Sequence, residues 1–268
     1  KIDLSEIYNG DITDETTPPT PTGSTLEQAD GTQENNIVVQ DKLGNKIKVP
    51  KGFKIVNTTD NVEAGIIIED VSAKDATTKG SQFVWIPVGT VHREGKEDVE
   101  IDLNRYTFAE TTGNETAMED AEIDEYKGDP CQELASSTYG NTPALEIGTF
   151  LTKVEEGEAK GFYIGRYEAR DGVTDIARDS STDDTNQVVT KADKFVYNYV
   201  TQSQAATLSQ NMYGKTGDFT SDLINSYAWD TALVFIQKCS DDSRYSQQNS
   251  LNTGSVAEKG TTNDVKCN

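Results

Sequence analysis

Gln82-Phe83-Val84-Trp85-Ile86-Pro87-Val88-Gly89 and Gly161-Phe162-Tyr163-Ile164-Gly165-Arg166-Tyr167-Glu168-Ala169 are the stretches that decide the fold class. The first is rich in aromatic and β-branched residues and stops at a proline and a glycine. The second alternates in the manner of a strand with one face turned inward. Gly65-Ile66-Ile67-Ile68-Glu69-Asp70-Val71 is a further block of this kind, and it and 82–89 read as buried strands. Ahead of them, I-V-V-Q-D and K-I-K-V-P flank Leu43-Gly44-Asn45, which predicts a hairpin over 37–50 around a Gly-Asn turn.

Between and after these strands the apolar spacing changes to that of helices. Asn141-Thr142-Pro143 supplies a cap-type residue and an early proline, and Leu145, Ile147, Phe150, Leu151 and Val154 recur at helical spacing until Gly157. A second helix is expected over 203–213, with Ala205, Ala206, Leu208 and Met212. A third is expected over 221–238, where Leu223, Ile224, Tyr227, Ala228, Val234 and Phe235 form one broad face. Trp229, Ala232, Leu233 and Ile236 extend that face almost all round, so this helix is expected to pack deep in the domain.

The remaining segments read as linkers and loops. Residues 8–36 contain T-T-P-P-T-P-T-G-S-T followed by a polar, acidic stretch, too poor in apolar residues to offset the entropy of folding. Residues 1–36 are therefore expected to be a flexible Thr/Pro-rich linker, with one domain over 37–268. Residues 93–133 read as an acidic insertion that adds little to the core, with some helix around Met118 to Tyr126, and 179–186 as a polar loop.

The chain has 46 acidic and 24 basic residues and a formal charge of −22, a field that repels phosphate backbones and anionic membranes and so disfavours nucleic-acid binding. No run approaches the roughly 18 apolar residues of a membrane span. A membrane or wall anchor is expected, if at all, upstream of Lys1. Cys131, Cys239 and Cys267 fit neither a zinc ribbon nor a C-x-x-C motif, and they allow at most one internal disulfide or three unpaired thiols.

Four segments in order carry a family resemblance. F-V-W-I-P-V-G at 83–89 and G-F-Y-I-G-R-Y-E-A at 161–169 resemble two core strands of the formylglycine-generating-enzyme (sulfatase-modifying factor) family. V-Y-N-Y-V-T-Q-S-Q-A-A-T-L at 196–208 is similar to its P-V-x-x-V-S-W-x-D-A segment, with Gln202 and Gln204 in place of the Trp and Asp. L-I-N-S-Y-A-W-D-T-A at 223–232 resembles L-P-T-E-A-E-W-E-Y-A, with Trp229 on the family's tryptophan. The resemblance implies an α+β, C-type lectin-like mixed fold of twisted antiparallel strands, two or three helices and much irregular loop, with its C-terminal strands beyond Asn268. It also implies an extracellular or cell-surface location, closest to surface proteins of gut Clostridia-type bacteria, and a non-catalytic role in binding a protein or glycan. Alternatives are a subunit of a pilus-like or surface assembly, and an oxidase whose catalytic cysteines lie outside this chain. No catalytic residue matches.

The candidate site residues are few. Tyr163, Tyr167 and Trp229, with Tyr197 and Tyr199, are of the type that lines binding faces, although their spacing also suits a core. Asp179, Asp183 and Asp184 in a Ser/Thr-rich loop, like Asp218 and Asp222, offer oxygen ligands for Ca²⁺, the one cofactor left open, without EF-hand spacing. Asp230 and Glu168 are an acid–base pair of the sort any acidic chain supplies by chance. His92, the only histidine, lies in a loop-like context and reads as a surface residue.

Overall fold

In the computed structural model, which describes residues 23–72, 77–109, 112–119, 147–173, 186–193, 195–214, 217 and 219–240, a hairpin stands at 37–50. β1 (Ile37–Gln40) pairs antiparallel with β2 (Lys46–Val49), Ile37 opposite Val49. The turn is held from within. The buried Asp41 carboxylate accepts from Leu43 N (2.9 Å), Asn45 N (3.0 Å) and Val62 N (2.8 Å), and Gly44 takes φ +89°, which a side chain would disfavour.

The main sheet contains β3 (Phe53–Ile55), β4 (Ile67–Asp70), β5 (Gln82–Pro87) and β10 (Gly161–Gly165), in the antiparallel order β10-β5-β4-β3. Directly opposed residues share a face. One face carries Phe53, Ile68, Phe83, Trp85 and Tyr163, and the other Val84, Ile86, Phe162 and Ile164. The strand expected over 161–169 ends at Gly165, after which the chain bends before β11 (Arg170–Asp171) pairs with β12 (Val188–Val189). Gly161 is required by contact: a Cβ there would lie 2.5 Å from both the Ile86 carbonyl oxygen and the Trp85 ring.

β6 (Gly89–Val91) pairs with β7 (Val99–Ile101), and β8 (Tyr106–Phe108) with β9 (Glu115–Ala117). These pairs correct the expectation that 93–133 adds little core, because Ile101 and Tyr106 are buried. Met118 lies outside any helix, and residues 120–133 fall outside the described residues.

The three helices among the described residues are α1 (Ile147–Glu155), α2 (Gln202–Tyr213) and α3 (Ser226–Ser240). The start expected for α1 at Asn141-Thr142-Pro143 lies outside the described residues. α2 opens with a reciprocal cap: the Thr201 side chain accepts from Gln204 N, and Gln204 Oε1 accepts from Thr201 N at 2.9 Å. α3 begins later than expected. Residues 221–225 are not helical, since the Ser221 hydroxyl is engaged at the end of α2, accepting from Tyr213 N (2.9 Å) and donating to Ser209 O (2.6 Å). Asn225 then accepts from Ala228 N at 3.0 Å and starts the helix.

Phe53, Phe83, Tyr213 and Phe219 pack edge to face with centroids 5.4 to 6.1 Å apart and join α2 to the sheet. Phe150 of α1 packs at 5.3 Å on Phe162, on the other face. The molecule is thus a mixed α+β fold of several small antiparallel sheets and helices. None of the described helices is long and apolar enough to cross a membrane.

The linker boundary at residue 36 also needs correction. Residues 1–22 lie outside the described residues, but Leu26 and Ala29 are buried in the core. Gln40 N donates to Ser24 O and Ile55 N to Ala29 O, both at 2.8 Å. Backbone pairing fixes a segment whose composition offers few apolar side chains.

Candidate functional site

The position of α3 creates the site. Ala228, Ala232 and Phe235 join the hydrophobic core, and Tyr227, Thr231 and Val234 are also buried. Trp229, Leu233 and Ile236, spaced i, i+4 and i+7, form the stripe that stays open, with Trp229 56% exposed and Ile236 38%. The expectation of a helix packed deep on all sides is corrected here. A 15-residue helix at a domain's edge is covered on most of its circumference and not on this stripe.

The stripe borders a cavity of 830 Å³ that runs along β10. Residues 161–169 line it without a gap, α1 contributes Phe150 and Val154, and Ile224 stands at its mouth, 46% exposed. Tyr163, Tyr167 and Trp229, from a strand, the bend after it and a helix, all line this one cavity.

Each aromatic side chain is held differently. The Tyr163 ring lies 5.0 Å from that of Trp85, and its phenol donates to the Lys48 carbonyl at 3.1 Å. Burial pushes that phenol well above the ordinary tyrosine range, so it stays a neutral donor. The Arg166 guanidinium sits 5.4 Å from the Tyr167 ring centroid, and Tyr167 N donates to Thr190 Oγ1 at 3.0 Å. Trp85 Nε1 is buried and finds no acceptor among the described residues.

Around the cavity the charges balance. Lys48, Lys153 and Arg166 face Glu156, Glu168 and Asp222 in the lining, in a chain of formal charge −22. Asp222 accepts from Gln210 Nε2 (3.1 Å) and Leu223 N (2.8 Å). The described lining contains neither cysteine nor histidine.

Compared with protein-family models, curated proteins and solved structures, the chain gives no match. Its own geometry therefore carries the functional argument.

Other sequence candidates separate from the cavity. Asp230 is buried against Arg105 Nε (2.7 Å) and Tyr106 N (3.0 Å), which ties β8 to α3, so it forms no acid–base pair with Glu168 at the cavity. His92 Nδ1 is 2.9 Å from Asp98 Oδ2 on the surface. Tyr199 is exposed, with φ +53°, and does not line the cavity, nor does Tyr197. Asp179, Asp183, Asp184 and Asp218 lie outside the described residues, as do Cys131 and Cys267. Among the described residues no cluster of three or more His, Cys, Asp or Glu is arranged to hold a metal, and Cys239 is buried in the core. Phe150 and Ile224, which the sequence places on the apolar faces of helices, and Phe219 also line the cavity. Nothing in their local spacing distinguishes cavity from core.

Proposed function

We propose that this chain is an extracellular or surface-displayed ligand-binding or adhesion module on a C-type lectin-like scaffold of the formylglycine-generating-enzyme type, with a protein or glycan as partner. The observation that carries the reading is the cavity along β10, with Tyr163, Tyr167 and the half-exposed Trp229 on its walls. An open stripe of tryptophan, leucine and isoleucine beside a concave site is the usual chemistry of a binding surface. The order of the four resembling segments supports the scaffold, since two of them fall on the paired strands β5 and β10 and two on the first halves of α2 and α3.

The test is to probe glycan and peptide arrays with the labelled chain and with Trp229→Ser. Binding to at least one ligand class is expected to weaken about tenfold or more in the variant, as for loss of an interface tryptophan, with an unchanged circular dichroism spectrum. Equal binding by both proteins would remove the cavity from the account.

A further inference from the structure

The free edge of β10 specifies the ligand more closely. Val88 N donates to Lys160 O (3.1 Å) and Arg166 N to Gln82 O (3.0 Å), and the register sets Phe162 opposite Ile86 and Ile164 opposite Val84. Hydrogen-bonding direction alternates along an antiparallel strand. Residues 160, 162, 164 and 166 therefore bond towards β5, and Gly161, Tyr163 and Gly165 turn their main-chain N–H and C=O groups the other way. β10 is the end strand of its sheet, and those outward groups make no backbone hydrogen bond to any described residue.

The cavity borders this edge and continues over the sheet face that carries Phe53, Ile68 and Phe83. Its lining includes Tyr163 and Trp85 from that face and Phe162 and Ile164 from the other, so residues of both faces of the strand border it. An unpaired edge bordered by apolar walls on both faces is complementary to an extended backbone whose side chains alternate between two apolar walls. The balanced lining charges fit an uncharged segment, and a second copy of the chain would bring −22 against −22.

We infer that the cavity receives an extended, uncharged, apolar-alternating polypeptide segment of another molecule, added as a further strand on β10. This rests on the reading of the cavity as a binding site and names its ligand class. The probe is acetyl-Thr-Val-Thr-Val-Thr-Val-Thr-amide, with a control peptide N-methylated at every central residue. Amide exchange at Tyr163 is fast in the chain alone and slows about tenfold or more with the peptide, and N-methylation weakens binding about tenfold or more, because two or three backbone bonds are lost.

Three results would overturn the inference: equal binding of both peptides, or of neither; slow Tyr163 exchange in the dilute chain alone, which would mean that the chain covers its own edge; or protection that rises with protein concentration, which would mean a second copy. Anilinonaphthalenesulfonate separates this inference from the reading it rests on. Dye bound at Trp229 without a peptide effect removes the strand and keeps the site, and no dye binding at Trp229 removes both.

Discussion

Trp85 and Tyr163 are directly opposed across β5 and β10, their ring centroids 5.0 Å apart, and the Tyr163 phenol reaches past the sheet to the Lys48 carbonyl. The pair links the hairpin to the main sheet at the wall of the cavity. Tyr163→Phe removes one hydrogen bond and is expected to cost about 1 kcal/mol, whereas Tyr163→Ala removes the ring and should cost about 3–5 kcal/mol, as for other large-to-small aromatic truncations. Urea midpoints of the two variants check the ordering.

The chain's two tryptophans occupy opposite environments, Trp85 at 2% exposure and Trp229 at 56%. Acrylamide should therefore quench one emitting population readily and leave the other protected. In Trp229→Phe only the protected, blue-shifted emission should remain, and stability should change by no more than about 0.5 kcal/mol, as for most surface substitutions.

Asp41 accepts from four donors, including Asn45 Nδ2 at 2.9 Å, and Asn45 Nδ2 also reaches the His92 carbonyl. Asp41→Ala strands these buried donors and should destabilise by about 2–4 kcal/mol. Asp41→Asn should do nearly as badly, since an amide nitrogen would face donors where a carboxylate oxygen now accepts. Thermal unfolding of both variants is the check.

Two groups set limits in pH. Burial raises the Glu63 carboxyl, but hydrogen bonds from Lys96 and Arg93 outweigh it and hold the group below its ordinary value of 4.5. Its contribution to stability is complete above that value and is lost as pH falls through the depressed folded value. Tyr106 is pushed up to about 12 by burial and by the charges of Asp102, Glu115 and Asp230. Its contribution is complete below the ordinary value of 10 and is lost as pH rises towards 12. Urea midpoints against pH should fall at both ends, less steeply in Glu63→Gln at the acid end and in Tyr106→Phe at the alkaline end.

Local chemistry made much of the fold legible. Aromatic and β-branched content ending at Pro87 and Gly89 located β5, alternation located β10, the Gly44-Asn45 pair located the first hairpin, and the spacing of Ala205, Leu208 and Met212 located α2. Partners distant in sequence were not legible. That Phe162 lies opposite Ile86, or that Ile55 N bonds to Ala29 O, depends on backbone groups every residue possesses, so composition marked residues 23–36 as linker although Leu26 and Ala29 among them are buried in the core. The open stripe of α3 was hidden for a related reason. Trp229 and Phe235 are alike in apolar character, and only the packed structure decides that Phe235 meets the core and Trp229 the cavity. Tyr163, Tyr167 and Trp229 were identifiable as aromatic candidates, but their convergence on one cavity is a property of the tertiary structure.

The most direct test of the binding cavity is a ¹H–¹⁵N titration of the chain with anilinonaphthalenesulfonate. The account predicts saturable shifts at the Trp229 indole N–H and at the amides of residues 161–169, both lost in Leu233→Asp. Shifts scattered over the surface, or centred on the exposed Phe195 and Tyr199 instead, would contradict it.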